Sequence, residues 1–347
     1  MHIEWLISDL FASLGFILAL FLLAHLLKQR RSPVSTMAWL LAILLMPYVG
    51  VPLYLMLGGR KMRWMAGKKE RVYAPPHDRP GPGRDGVIER VLLSYGVPPA
   101  TRGNEVELVS TGEDAYRKII DLINSAQHTI HITTYILGRD PVGAAIVDRL
   151  AARAAAGVEV RLLLDAVGSW RMNRRWLEPL TAAGGRVAYF MPLIRLPFRG
   201  RANLRNHRKT VVIDGRSALV GGMNLAQDYL GPDPDPDRWR DLVVQVSGPV
   251  VRDLDDIFRS DWRFATKEYL TPMARADAPC ETDGLRTAQT VASGPDVVGD
   301  PFYESLVSAL FAARQRIWVV TPYFIPDETL VRGLDLAARR GVDVRLV

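Results

Sequence analysis

The 347-residue sequence has a single cysteine, Cys280, so no disulfide can close within it. With one thiol and no cluster of histidines beside it, a structural zinc site is not expected either. Acidic residues are in the minority, 37 Asp and Glu against 44 Lys and Arg, which leaves a net charge of +7. That excess favours an anionic partner. At the level of composition, nucleic acid and anionic lipid both fit.

Charge is scarcest at the N-terminus. Residues 5–27 carry one formal charge, Asp9, and residues 37–57 carry none. Each run is long enough to cross a hydrocarbon core as a helix, and two transmembrane helices are expected within residues 1–58. A cleaved signal peptide would need a basic leader and a small-residue cleavage site. The leader here is Met-His-Ile-Glu, and the positive charge follows the run. Pro47, Gly50 and Pro52 interrupt the second run, so it is expected either to kink or to re-enter the surface it came from. The connecting turn carries Lys28, Arg30 and Arg31, and the stretch after the second run carries Arg60, Lys61, Arg63, Lys68, Lys69 and Arg71. The larger cluster favours a multi-pass protein of the bacterial cell membrane with its main domain on the cytoplasmic side. The flanks of the first run favour the reverse. The same cluster can hold the domain against anionic headgroups.

Residues 59–104 form a basic and Pro/Gly-rich linker, densest in punctuating residues over 73–86. From about 105 the pattern alternates: a strand at 107–109, a helix over 115–126, a β-branched strand over 129–136. Asp140 and Pro141 then read as N-cap and first-turn residue of a helix that Gly157 closes, before a strand over 158–164 ending at Asp165. This alternation predicts an α/β fold, a mixed sheet flanked by helices. The pattern returns late in the chain. Residues 122–135 parallel 310–323 at an offset of 188, and Gly157-Val-Glu-Val-Arg-Leu162 parallels Gly341-Val-Asp-Val-Arg-Leu346 at an offset of 184. Two similar lobes follow, a first over 105–290 and the start of a second over 291–347.

The chemistry concentrates in Asn206-His207-Arg208-Lys209 through Asp214-Gly215, followed by Gly221-Gly222-Met223-Asn224. A His-x-Lys alone carries nothing. The whole spacing, His-x-Lys, four residues, Asp, six residues, Gly-Gly-x-Asn, arises by chance on the order of once in 10⁵ chains of this length. If a strand starts at His207, the imidazole and the Lys209 ammonium share one face. Such a pair suits a phosphodiester: Lys209 holds the anionic oxygens, and His207 attacks phosphorus or protonates a leaving oxygen. Asn224 can donate to a phosphate oxygen, and Gly221 and Gly222 can let backbone approach closely. The run 194–209 holds Arg195, Arg199, Arg201, Arg205, Arg208 and Lys209 with no acid, and is expected to draw anionic headgroups to His207. His128 and His131 border a strand and read as structural. No metal-ligand motif is visible.

These residues resemble the His-Lys-Asp signature of the phospholipase D superfamily. The chain is more similar still to bacterial cardiolipin synthases through Arg30-Arg31, Met37-Ala-Trp-Leu-Leu41, Leu163-Leu-Asp-Ala-Val-Gly-Ser169, Trp239-Arg-Asp241 and Thr321-Pro-Tyr-Phe324. The resemblance implies a two-lobed phospholipase D-like fold and a cofactor-free, metal-independent phosphatidyl transfer through a phosphohistidine. Phosphatidylglycerol would be donor and acceptor, glycerol would leave, and nucleic acid would not be the partner. It implies His207, Lys209 and Asp214 as the catalytic motif, with Asp214 bracing a loop. Asn224 and Gly222 would serve the substrate, and Asp241 is the candidate for orienting the imidazole. Hydrolysis of a phosphodiester, or binding of anionic lipid without turnover, stays as an alternative. A second His-x-Lys would fall near position 391, an offset of 184 from His207, and the sequence has none after Asp214. The second lobe is therefore expected to be incomplete. Three expectations follow: this sequence is part of a longer product, the product is shortened and inactive, or two copies pair and each supplies one motif.

Overall fold

The computed structural model describes residues 33–57, 72–73, 86–191, 205–271, 286–294, 297 and 299–347. The first apolar run, both basic clusters near the N-terminus, most of the linker, residues 192–204 and Cys280 lie outside them. The chain divides into two compact units, one of residues 1–65 with 194–203 and one of 66–193 with 204–347.

In the first unit, helix α1 (Pro33–Leu45) and helix α2 (Pro47–Leu57) fold against each other. Residues 37–57 are therefore split between two helices, not carried on one continuous helix. Pro47 begins a new helix after a break at Met46, a position where proline is tolerated because its missing N–H needs no partner. At 13 residues, α1 is about 20 Å long, short of the roughly 30 Å of a bilayer core. Gly50 permits the crossing, since a Cβ there would lie 2.2 Å from Ala42 O. Trp39 packs edge-on to Tyr54, with centroids 5.4 Å apart, and Ile43 is fully buried. The break falls beside Pro47, one of the residues expected to interrupt this run. Among the described residues no helix is long and apolar enough to cross a membrane.

The second unit is built on an eight-stranded mixed sheet. Its strands are β1 (Thr101–Val109), β2 (Thr129–Thr134), β3 (Glu159–Asp165), β4 (Arg186–Phe190), β5 (Thr210–Ile213), β6 (Ser217–Gly221), β7 (Val243–Ser247) and β8 (Arg286–Ala288). They lie in the order β4-β3-β2-β5-β6-β7-β1-β8. The β2, β3 and β4 neighbours pair parallel and the remaining neighbours antiparallel. Helix α3 (Val87–Ser94) precedes the sheet. One face carries α4 (Gly112–Ser125), α5 (Pro141–Ala155) and α6 (Arg174–Ala182), whose Ile119, Ile123, Ile146, Leu150 and Leu180 pack on Ile130, Ile132 and Leu162. Each such buried aliphatic side chain contributes about 1.5–3 kcal/mol as an upper estimate. The other face is covered by α7 (Val251–Thr266) with Leu254, Phe258 and Trp262 inward. There His131 is buried, stacked on Phe258, with Nδ1 2.6 Å from Asp255 Oδ1, while Arg259 donates to the same carboxylate. His131 is thus structural, as read.

The local signals hold where the sequence read them. Asp140 Oδ1 accepts from Gly143 N at 2.8 Å as the α5 N-cap, and Gly157 takes φ +90° at the helix exit. The late repeat is real: α8 (Pro301–Ala312), β9 (Arg316–Val319), α9 (Glu328–Arg339) and β10 (Asp343–Leu346) reproduce α4-β2-α5-β3, with β9 and β10 parallel. Its register differs by one residue from the sequence alignment. Thr129 pairs with Glu159 and Arg316 with Asp343, so β9 follows β2 at an offset of 187, not 188. Asp140 and Asp327, both N-caps, keep that offset. Helix α9 has 12 residues against 15 in α5, and the three missing residues give the offset of 184 at the next strand.

Candidate active site

The motif strand is shorter than expected: β5 begins at Thr210, and residues 205–209 form an extended approach to it. The two functional side chains still meet, and Tyr135 shows it. Tyr135 follows the end of β2. Its ring centroid is 4.7 Å from that of His207 and 5.5 Å from Lys209 Nζ. Lys209 Nζ also donates to the His207 carbonyl at 2.7 Å. His207 is exposed, whereas Lys209 is buried and lines a small cavity with Thr133, Thr210, Gly221, Met223 and Val243.

This setting tunes both groups. Burial and the Lys209 ammonium hold the His207 imidazole below its usual value, against the opposing pull of Asp165 and Asp241. The ring is therefore neutral near pH 7, with a lone pair for attack on phosphorus. Burial lowers Lys209 to about 8, again against Asp241 and Asp165, so its charge is present near neutrality and is lost as pH rises past that value. A neutral imidazole beside a desolvated ammonium is an arrangement that can engage a phosphodiester anion and attack it.

Each further predicted residue has a definite place. Asp214 sits at the β5–β6 turn with φ 52°. Its Oδ1 accepts from His128 N and Thr129 N at 2.7 Å each, and its Oδ2 from Gln127 N at 2.8 Å. It ties the far end of the hairpin to the start of β2, at the opposite end of β5 from His207. Asn224 is buried, and its Oδ1 accepts from Ile136 N at 3.1 Å. That bond points the oxygen at the backbone and leaves Nδ2 as the donor end. The close approaches at Gly221 and Gly222 are made by the chain itself. A Cβ on Gly221 would meet Leu242 O at 2.3 Å, and one on Gly222 would meet Asp241 Oδ1 at 2.1 Å. The close approach expected at these glycines is made by residues 241–243. Asp241 is exposed, and its Oδ1 accepts from its own neighbour Leu242 N at 2.7 Å. It acts on His207 through its charge and makes no hydrogen bond to the ring.

Two arginines of the basic run, Arg205 and Arg208, lie among the described residues, and both have acidic partners. Those acids come from elsewhere in the chain, which a search along the run does not find. Arg205 donates to Met191 O at 3.1 Å and lies 3.7 Å from Asp165. Both Asp261 oxygens lie 2.8 Å from Arg208 Nη1. These two cations brace the motif. Residues 192–204, with the rest of the run, lie outside the described residues.

Two residues that sequence reasoning did not single out hold the segment in place. Asp165, buried at the end of β3, accepts from Val167 N at 2.9 Å and Gly168 N at 3.1 Å on one oxygen and from Asn206 N at 3.0 Å on the other. Asp261, fully buried on α7, also accepts from Asn206 Nδ2 at 2.7 Å. His207 is thus held on both sides: its neighbours Asn206 and Arg208 converge on one carboxylate behind the sheet. The available signals were an acid closing an apolar strand, and an acid on the inward stripe of an amphipathic helix.

A model described as "Cardiolipin synthase, PLD-like domain" matches residues 119–262, a span that contains this whole constellation. A model described as "Phospholipase_D-nuclease N-terminal" matches residues 17–59. The cardiolipin synthase of Geobacillus kaustophilus (strain HTA426) is 33% identical over 366 residues, covering 99% of this chain and 71% of that protein. The chain belongs to the cardiolipin synthase family. The cardiolipin synthase of Geobacillus thermodenitrificans (strain NG80-2) is 34% identical over 341 residues, covering 92% of this chain and 66% of that protein. The chain thus spans about two thirds of the length of these phosphatidyltransferase relatives. In fold it is similar to the phosphatidylserine synthase of Haemophilus influenzae Rd KW20, with TM-score 0.53 and 15% identity over 75% of this chain and 65% of that one. The phospholipase D-like α/β fold is shared with a protein of low sequence similarity. Its cardiolipin synthase family membership rests on the sequence.

Proposed function

We propose that this chain carries the nucleophilic half of a cardiolipin synthase: it transfers a phosphatidyl group from one phosphatidylglycerol to another, with release of glycerol. The observation that supports this most directly is the convergence of a neutral His207 and a buried, charged Lys209 on Tyr135. Lys209 holds the phosphate oxygens. An imidazole nitrogen of His207 attacks phosphorus as the P–O bond to glycerol breaks, and the departing alkoxide takes a proton from a general acid. The primary hydroxyl of a second phosphatidylglycerol then attacks phosphorus, losing its proton to the conjugate base, and the P–N bond breaks to free His207. Asn224 Nδ2 donates to a phosphate oxygen, Asp241 stabilises the charge that develops on His207, and Asp214 holds the hairpin. The general acid is a second histidine, from a second-lobe motif or a second copy of the chain. Residues 1–58 hold the enzyme in the membrane that contains its substrate.

Incubation of the full chain in phosphatidylglycerol vesicles tests this. Cardiolipin and glycerol in equal amounts are expected, and none from His207→Ala. Phosphatidic acid instead of cardiolipin would make the chain a hydrolase, and binding without turnover would make it a lipid-binding protein.

A further inference from the structure

The loop after β3 reaches the mouth of the site. A Cβ on Gly168 would lie 2.2 Å from Tyr135 O, and Ser169 Oγ donates to that same oxygen at 2.9 Å. Tyr135 is the residue that touches both His207 and Lys209. The next residue, Trp170, turns outward and is 68% exposed. It is the most exposed indole among the described residues, ahead of Trp239 at 64%.

Its surroundings are cationic. Arg171 lies over the Trp170 ring, 5.3 Å from its centroid, and Arg139 lies over Trp176 at 5.5 Å. Arg171, Arg174, Arg175 and Arg139 are all exposed. None of the four has an acidic partner among the described residues, unlike Arg161, Arg205, Arg208, Arg238 and Arg259, which all do. The sequence has no acid between Asp165 and Glu178. Arg171, Arg174 and Arg175, without acidic partners among the described residues, follow an outward indole on a segment whose start contacts Tyr135, and this composition matches the chemistry of an anionic bilayer interface. Indole settles at headgroup depth, and arginine pairs with lipid phosphate.

We propose that the Trp170–Trp176 segment is a membrane-docking rim that lays the mouth of the site on an anionic lipid surface, with Trp170 at headgroup depth and Arg171, Arg174 and Arg175 on the phosphates. The inference rests on the lipid reading of the site. It differs from the N-terminal anchor in purpose. The anchor fixes the chain to a bilayer, and the rim sets which part of the domain faces it, so that the phosphodiester need not leave the interface to reach His207.

The test uses the full chain reconstituted in vesicles containing brominated-acyl lipid, with phosphatidylserine as the anionic component so that docking is read without turnover. The emission lost in Trp170→Phe reports residue 170. It is expected to be quenched in anionic vesicles, and to be relieved by high salt or in neutral phosphatidylcholine vesicles. Each arginine replaced by glutamine at 171, 174 or 175 should lower the docking equilibrium constant about fivefold, as for a basic residue near an anionic surface. Equal quenching of wild type and Trp170→Phe would overturn the proposal. So would a response of residue 170 to a single-stranded oligonucleotide and not to vesicles. In a parallel incubation with phosphatidylglycerol vesicles, cardiolipin formation without residue-170 quenching would remove the rim and leave the transferase reading. Quenching without cardiolipin formation would do the opposite.

Discussion

The two copies of the βα unit share their register and differ in what covers them. In the first, the sheet face opposite α4 and α5 presents His131, Thr133 and Leu163, all at most 3% exposed beneath α7. At the matching positions of the second stand Trp318, Val320 and Val347, at 57%, 80% and 83% exposed. The comparison separates what makes the fold from what makes the site. In the second copy the described residues cover one face of the two parallel strands. Fixing a functional histidine takes the other face as well, because Asp261, which gathers Asn206 and Arg208, comes from the covering helix. The covered face can also hold polar groups, since α7 supplies Asp255 to His131. The uncovered one presents an aromatic and valines instead.

This contrast can be broken by mutation. The largest loss should come from Asp261→Ala, which removes the buried carboxylate that Arg208 and Asn206 share. About 3–5 kcal/mol of stability is expected to disappear, read by denaturant unfolding. An effect below roughly 1 kcal/mol, the size of a surface substitution, would mean that α7 does not hold the motif. Next comes Lys209→Met, with the opposite sign. Burial lowers Lys209 from 10.5 to about 8, so the unfolded chain binds more protons between those values and stability rises with pH across that window. Replacing the ammonium by an apolar isostere should therefore stabilise the domain by roughly 3 kcal/mol at pH 7, flatten that rise and abolish turnover. Loss of stability in this variant would contradict the cost assigned to the buried charge. The smallest effect belongs to Trp318→Ser on the open face, within about 0.5 kcal/mol. A loss several times larger would show that this face is covered in the working protein, and would erase the contrast between the copies.

Much of the first lobe was legible because its signals are local. Asp140-Pro141 with Gly157 bounds a helix, β-branched residues mark β2, and the motif spacing singles out His207 and Lys209. The one-residue slip in the repeat arose because neighbouring identities such as Tyr135 and Tyr323 attract a sequence alignment, while strand pairing obeys the inward pattern of Ile130 and Ile317. What stayed hidden was long-range. Asp165 and Asp261 reach residue 206 from 41 and 55 positions away. Nothing in the run 194–209 reveals that two of its arginines are paired. The glycines at 221 and 222 signalled close approach, and only the fold shows that residues 241–243 make it. The break at Met46 was foreshadowed by Pro47 and Gly50, and helix-on-helix packing decided between a kink and a hairpin.

The pH profile follows from the same geometry. kcat/KM should need His207 neutral and Lys209 charged, so activity falls as pH drops through the depressed histidine value and again as it rises through about 8. The most direct test of the central claim is to quench the full chain during incubation with phosphatidylglycerol and map the acid-labile adduct by mass spectrometry. A phosphatidyl group on the His207 peptide, absent from His207→Ala, is the expected result. Cardiolipin formation with the adduct on any other residue, or with His207 unmodified under trapping conditions, would contradict it.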